Sequence, residues 1–351
     1  MVVSVGAQAP VVDAELRLSS WHRARTPALT LEEQAALIAL EPRLGHLHVR
    51  QRLGLERDYE DHVFRKGNHF FHIENWHSLH GLIRGSLRLA GLHARARRNA
   101  LAIEVRQNDV RLPRLPKGFD GFTLLHLSDL HLDINAEFLD ALIERVRGLE
   151  YDLCVITGDY RARTYGPIET TLGGLQRLRP HLQTTVYAVL GNHDTIRLVP
   201  RMETMGYKLL LNEWVKLQRD GEAIYLAGID DAHYYRMENF HRAAHDLPRR
   251  ATSILLSHTP ETYRHAAHAG FDLMLCGHTH GGQICLPGGT PLLTDAGSPR
   301  RLARGAWRYD DMLGYTSTGA GTSLVDVRLN CPPEVTLHRL HRAASGCSRS
   351  G

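Results

Sequence analysis

From about residue 120 onward, short apolar runs alternate with longer amphipathic stretches, and this rhythm narrows the available folds more than any other property of the chain. The runs are Phe122–Leu127, Leu153–Thr157, Val186–Leu190, Ala223–Ala227, Ser253–Leu256 and Asp272–Cys276. They are short and rich in Val, Ile and Leu, which suits strands buried on both faces. Between them lie helical patterns, as in Ala136–Leu149, where Phe138, Leu139, Leu142, Ile143 and Val146 share one face. Such alternation predicts an α/β core with crossover helices. Beyond residue 285, Gly/Pro-rich text gives way to strand-like Ser323–Leu329 and Glu334–Leu340, expected to form a second, more antiparallel sheet that closes the domain.

The first 120 residues break the rhythm. Thr30 followed by Glu33 is a capping-box signature, and the pattern predicts a helix from Thr30 to about Glu56. From Phe71 to Asn99, residues Ile73, Trp76, His80, Ile83, Leu87 and Ala90 recur at helical spacing, with Arg84, Arg88, Arg95, Arg97 and Arg98 between them. Residues 65–117 hold 11 Lys and Arg against 3 acids, net +8, while the whole chain totals +4, so the remainder sums to −4. The basic character is local, and the protein is no polycation built to coat nucleic acid. A basic amphipathic segment over residues 70–98, with Phe70, Phe71 and Trp76, can lie on an anionic membrane. A helix packed across the main domain with its Arg exposed gives the same pattern. The chain therefore divides into a helical, basic extension (1–100), a main α/β domain (101–341) and a short tail (342–351).

No basic start followed by an apolar core of about 7–15 residues marks the amino terminus, and no stretch approaches the ~18 apolar residues of a span. Five Cys (154, 276, 285, 331 and 347) include no CxxC pair, which fits a reducing compartment and argues against a thiolate zinc site. The expected location is cytoplasmic, with the periphery of the inner membrane as its variant. The composition holds one unusual number, 23 His, and it asks for metal or proton-transfer chemistry.

The strand ends supply that chemistry. The runs are followed by Ser128-Asp129-Leu130-His131, Gly158-Asp159-Tyr160, Gly191-Asn192-His193-Asp194, Ser257-His258-Thr259 and Gly277-His278-Thr279-His280. In open α/β sheets ligands bind outside the carboxyl ends of the strands, so residues far apart in sequence reach one rim. Asp129, His131, Asp159, Asn192, His258, His278 and His280 offer oxygen and imidazole nitrogen, a set suited to Mn, Fe or Zn. Seven side chains exceed one open-sided ion, and two ions sharing a carboxylate is the economical arrangement. Glycines before Asp159, Asn192 and His278 allow sharp turns there. A lone Asp-x-His or Gly-Asp means little, and His126 reads as core packing. Five strand-terminal motifs together do not, because unpaired polar groups buried there would cost several kcal/mol.

In this order the blocks SDLH, TGDY, GNHD, SHTP and GHTH resemble the calcineurin-like metallophosphoesterase superfamily, over roughly Leu101 to Leu340. The longer GHTHGGQICLPGG and the late NCPPEVTLHRL are most similar to its YkuE/YaeI-like bacterial phosphodiesterase branch. The resemblance implies a two-sheet α/β sandwich with a helical N-terminal extension and two divalent metal ions at the rim. It implies Asp129, His131 and His280 on the first ion, Asn192, His258 and His278 on the second, and Asp159 between them. It also implies in-line attack on phosphorus by a water activated between the ions, with His193 acting on a phosphoryl or leaving oxygen and Asp194 orienting His193. Arg161, Arg163 and His233 are candidates for substrate contact; a solvated basic loop explains the arginines equally well. The implied substrate is a phosphodiester or pyrophosphate, and the basic extension adds a lipid-linked ester as one class. The UDP-diacylglucosamine hydrolases are a comparison there, set apart by an Arg where His193 stands. A nuclease or cyclic-nucleotide phosphodiesterase is the alternative, with nucleic acid the weaker partner, and a non-catalytic scaffold is disfavoured because every ligand position is kept.

Overall fold

Leu125 and Leu127 face one way along their strand and Leu124 the other, yet all three are completely buried. Such a strand must be covered on both sides, and the architecture provides this. In the computed structural model, residues 30–65 and 77–343 are described, except Leu293, Asp295 and Leu324. One sheet runs in the order β1 (Glu104–Leu112), β12 (Glu334–Arg342), β2 (Thr123–Leu127), β3 (Leu153–Ile156), β4 (Val186–Ala188) and β5 (Tyr207–Leu209). The other runs β10 (Gly305–Tyr309), β11 (Met312–Thr316), β9 (Leu273–Cys276), β8 (Ser253–Leu256), β7 (Glu222–Gly228) and β6 (Glu213–Arg219). Leu124, Val155, Val189, Leu226, Ile254 and Leu275 fill the space between the sheets. Helices cover the outer faces, completing the two-sheet sandwich.

All six expected core strands form. The helical pattern after β2 also forms, at Ala136–Val146, capped by the Asn135 side chain and burying the five predicted apolar residues. The carboxyl-terminal expectation needs correction. Glu334–Arg342 joins the first sheet, parallel to β1 and antiparallel to β2, rather than a separate late sheet. Ser323–Leu329 contributes a single bridge, Leu329 to Ile284, and no strand among its described residues. Its alternation has another cause: Val325 and Val327 are buried against Leu87 and Ala96 of the extension.

The extension forms α1 (Leu31–Leu44), α2 (His46–Arg65), α3 (His77–Leu89) and α4 (His93–Leu101). The Thr30–Glu33 capping box is present. The single helix expected to reach Glu56 is split at Gly45, whose φ of 86° a side chain would resist. Ala36, Leu40, Leu44, Val49 and Leu53 are buried in the same cluster as Leu125, Ile156 and Leu190. Each fully buried leucine there contributes roughly 1.5–3 kcal/mol, so α1 and α2 are seated on the α/β core. On α3, Leu87 is buried, whereas Leu82 and Leu89 are 65% and 93% exposed beside exposed Arg84 and Arg88. The expected aromatic anchors Phe70, Phe71 and Trp76 lie outside the described residues. Among the described residues no helix is long and apolar enough to cross a membrane. The four described cysteines are free and buried.

Candidate metal centre

The carboxyl ends of β2, β3, β4, β8 and β9 converge, and the polar residues that follow them form two adjoining groups. Asp129, His131 and His280 bring their ligand atoms within 4.8 Å of one another, and Asp159, His258 and His278 do the same. All six side chains are buried. His131 Nε2 lies 3.1 Å from His280 Nε2, and His280 Nε2 lies 3.5 Å from Asp129. In the second group His258 Nε2 lies 3.2 Å from Asp159 Oδ2, 3.2 Å from His278 Nδ1 and 2.8 Å from Asn192 Oδ1. The same Asp159 oxygen is 3.8 Å from His131 Nε2 of the first group.

The backbone is bent to achieve this. Asp129, His131, Asp159, His278 and His280 all have positive φ, between 44° and 72°. For side-chain-bearing residues that conformation costs on the order of 1 kcal/mol or more each, and it clusters at functional sites. Close approach explains two of the glycines. A Cβ on Gly191 would run into the Asp159 carboxylate, and one on Gly277 into the side chains of Ser128 and Asp129.

The donor set fits a cation. His131 Nδ1 is held by the carbonyl oxygen of Arg161 at 3.1 Å and His258 Nδ1 by that of Thr157 at 2.7 Å. A ring whose Nδ1–H donates to a carbonyl presents Nε2 to a metal. Burial pushes the Asp159 carboxyl up, but the surrounding His258, His193 and His131 outweigh it and hold it well below the usual carboxylate range. Burial likewise pushes His258 down, and Asp159 overrides it to raise the imidazole to about 10. The carboxylate therefore draws positive charge to this point, as a proton or as a metal. Burial also drives His278 and His280 well below the ordinary histidine range, leaving them as neutral donors.

A sequence profile described as calcineurin-like phosphoesterase matches residues 122–282. The metallophosphoesterase YkoQ of Bacillus subtilis is 30% identical over 227 residues, covering 62% of this chain and 83% of its own. The chain belongs to the calcineurin-like phosphoesterase family. Bacillus subtilis YkuE is 29% identical, with 68% of this chain and 85% of the relative covered. For the Escherichia coli phosphodiesterase YaeI the values are 28%, 62% and 82%. The protein is thus a metal-dependent phosphoester hydrolase.

Other residues of this phosphoesterase take positions that the sequence did not convey. His193 stands beside His131, ring centroids 5.6 Å apart, and its Nδ1 lies 2.8 Å from Thr164 Oγ1. Asp194, expected to orient His193, instead accepts backbone N–H groups of Asp159, Tyr160 and Gly191 at 2.8, 3.0 and 2.8 Å. It clamps two motif loops together, and among the described residues the Thr164 hydroxyl lies at hydrogen-bonding distance from the histidine. Arg161 turns inward, fully buried, and donates to the carbonyl of Tyr165 at 2.6 Å, whereas Arg163 is exposed. His233 is brought to the rim, its ring 4.2 Å from that of His278 and its Nδ1 3.1 Å from both oxygens of Glu261.

Two supports escaped the sequence reading altogether. Fully buried Arg328 donates to the carbonyls of Thr318 and Gly321 at 2.7 and 2.6 Å and lies 3.2 Å from His280 Nδ1. From α2, Arg52 donates to the Asp194 carbonyl at 2.8 Å, while Glu56 accepts from Ile196 N at 2.7 Å and from the Thr195 hydroxyl. No motif marks any of these residues: Arg52 and Glu56 lie on an amphipathic helix whose charged side chains normally face water, and Arg328 falls within the run Ser323–Leu329 expected as a strand.

Proposed function

We propose that this phosphoesterase is a dinuclear phosphodiesterase or pyrophosphatase in which Asp159 is shared by two ions. The observation that carries the reading is the position of the Asp159 carboxylate, 3.2 Å from His258 of one ligand group and 3.8 Å from His131 of the other. Asp129, His131 and His280 would hold one ion; Asn192, His258 and His278 would hold the other; Mn, Fe and Zn suit the nitrogen–oxygen set. When bound, such a pair acidifies a water and neutralises charge on the phosphoryl oxygens. The chain's own residues do the rest. Thr164 fixes the His193 ring through Nδ1, which assigns Nε2 the contact with a phosphoryl or leaving oxygen. Arg163 and His233 are the candidates for phosphoryl contact at the rim, whereas buried Arg161 supports its loop.

A substrate near lipid is favoured by one feature, the exposed Leu82 and Leu89 on α3 amid exposed Arg84, Arg88, Arg95, Arg97 and Arg98. Such a face suits an anionic surface.

Turnover of bis(p-nitrophenyl) phosphate by Mn-, Fe- or Zn-reconstituted protein, with metal counted by elemental analysis, tests the reading. Asp159→Asn should lose two-metal occupancy and activity together. His193→Ala should keep its metal and lose turnover by ~10²-fold or more. One ion per chain in fully active protein would refute the dinuclear centre.

A further inference from the structure

Two histidines in the middle of the protein belong to neither ligand group. His126 on β2 and His338 on β12 are completely buried, with the Tyr315 ring packed 4.7 Å from that of His338. Burial pushes His126 down to about 3 and His338 well below its ordinary range. Each is neutral and carries a single ring proton, so each can donate one hydrogen bond and accept one. Leu124 and Leu340 fill neighbouring positions of the same inter-sheet core, and leucine would pack at these positions without any need for polar partners.

The four ring nitrogens all lie on one line of hydrogen bonds. Asn108 Nδ2 is 2.9 Å from His338 Nδ1, and His338 Nε2 is 3.2 Å from His126 Nδ1. His126 Nε2 is 2.8 Å from Thr157 Oγ1, which donates to Ser128 Oγ at 2.7 Å. Ser128 Oγ stands beside the carboxylate of Asp129: a Cβ on Gly277 would meet Ser128 Oγ at 1.9 Å and Asp129 Oδ2 at 2.3 Å. One polarity satisfies every link. Thr157 donates to Ser128, which leaves the Ser128 hydroxyl proton to point at Asp129. Thr157 then accepts from His126 Nε2–H, and His126 Nδ1 accepts from His338 Nε2–H. His338 Nδ1 is left to accept from the Asn108 amide nitrogen, which only donates. The Asn108 end sets this direction through all four ring nitrogens.

We propose that the line Asn108–His338–His126–Thr157–Ser128 is a positioning relay for Asp129. It turns the Ser128 hydroxyl proton toward the carboxylate, whose two oxygens the His278 N–H holds at 3.1 Å, and so helps keep that carboxylate toward His131 and His280. The inference rests on Asp129 being a metal ligand. Partners that orient a ligating group typically carry 10–100-fold in metal affinity or activity, an order-of-magnitude figure. Aligned links also polarise one another, by about 10–30% per bond. Ser128, Thr157 and the two histidines are positioning residues and touch no substrate.

The first test needs no metal. Long-range proton–nitrogen correlation spectra of the metal-free protein should show both histidines with Nδ1 bare and Nε2 protonated. Neither should titrate over about pH 5.5–8.5, where an ordinary histidine does. An Nδ1–H tautomer at either residue overturns the relay. The second test breaks the line at its middle. Thr157→Val should weaken Mn²⁺ or Zn²⁺ binding, read by chelator competition, by about 10–100-fold. Thr157→Ser, which keeps the hydroxyl, should restore it, with melting curves checking that both variants fold. Equal affinity in wild type and Thr157→Val overturns the relay alone. Wild-type protein that binds neither ion overturns the metal reading of Asp129, while the tautomers stand unaffected. If Thr157→Val fails to fold, the wild-type tautomers decide.

Discussion

Arg52 gives the sharpest test of whether the amino-terminal helices belong to the catalytic body. Its guanidinium is completely buried, stacks 3.5 Å over the Tyr235 ring, and faces Glu56 at 3.4 Å and Asp230 at 3.6 Å. Burial pulls its pKa down, but Asp230 and Glu56 more than restore it, so the side chain stays charged. Replacing it in Arg52→Met keeps much of the stem's volume and removes the charge. Asp230, itself 0% exposed on its side chain, would then retain His48 Nε2 at 3.0 Å as a hydrogen-bond partner. Removing one partner of a buried ion pair costs about 3–5 kcal/mol. Retention of His48 and the fit of methionine place this case at the lower end, about 3 kcal/mol. At about 2–4 °C per kcal/mol for domains of this order, the melting temperature should fall by roughly 6–12 °C. The loss should be measured by circular dichroism in chelator, so that metal binding does not shift the baseline. Arg84→Met, on the exposed face of α3, is the control and should stay within about 0.5 kcal/mol of wild type. Because Arg52 also holds the Asp194 carbonyl, turnover should fall with stability. A melting temperature and turnover equal to wild type would refute the seating of α2 on the GNHD loop.

If Thr164 fixes His193, then Thr164→Val should lower kcat by about 10-fold or more with KM unchanged, and Thr164→Ser should recover it. The loss should grow as the leaving group becomes more basic; a uniform loss would remove leaving-group protonation from the role of His193. If α3 rests on an anionic surface, wild-type protein should sediment with vesicles rich in acidic phospholipid and release as salt is raised. Leu82→Glu with Leu89→Glu should abolish that sedimentation and leave hydrolysis of a soluble diester intact. Retained binding would discard the membrane-facing reading of the helix.

The core strands and the ligand positions were legible because both obey local rules. A strand buried on both faces must be apolar throughout, as Leu153–Ile156 is, and a ligand at its end must follow that run directly. Edge strands obey weaker rules. β1, EVRQNDVRL, has only Val110 and Leu112 buried, so its polar text gave no strand signal even though it falls within the main domain. β6 was equally hidden, since it pairs antiparallel with β7 and keeps no side chain fully buried. Ser323–Leu329 shows the converse error, because alternating valines describe a half-buried surface whatever covers it, and here a helix covers it. At the site, chemistry revealed identity but could not reveal pairing. Nothing in GNHD says whether the aspartate meets the histidine or the backbone, and three N–H groups at hydrogen-bonding distance won.

The family profile spans residues 122–282, yet much of what holds the centre in shape lies outside it. Arg52 and Glu56 brace the loop after Asp194 from one side, Arg328 gathers the carbonyls beside His280 from another, and His338 is linked through His126 and Thr157 to Ser128, next to Asp129. Each is buried or nearly so, each bears a polar group, and each is held mainly by backbone atoms or by another buried side chain, Arg52 through one hydrogen bond and the ion pairs to Glu56 and Asp230. Apolar packing cannot account for such residues, because every one brings a desolvation cost that only its partners offset. Arg328 and His338 act toward loops with left-handed residues at His280 and Asp129, and Arg52 and Glu56 hold the loop whose Asp194 clamps left-handed Asp159; such residues would otherwise relax toward ordinary backbone conformations. The motif blocks therefore determine which atoms can take a metal. Whether those atoms stay poised depends on the extension and the last strand, and a chain with intact motifs and altered supports should bind its ions weakly before it loses its fold.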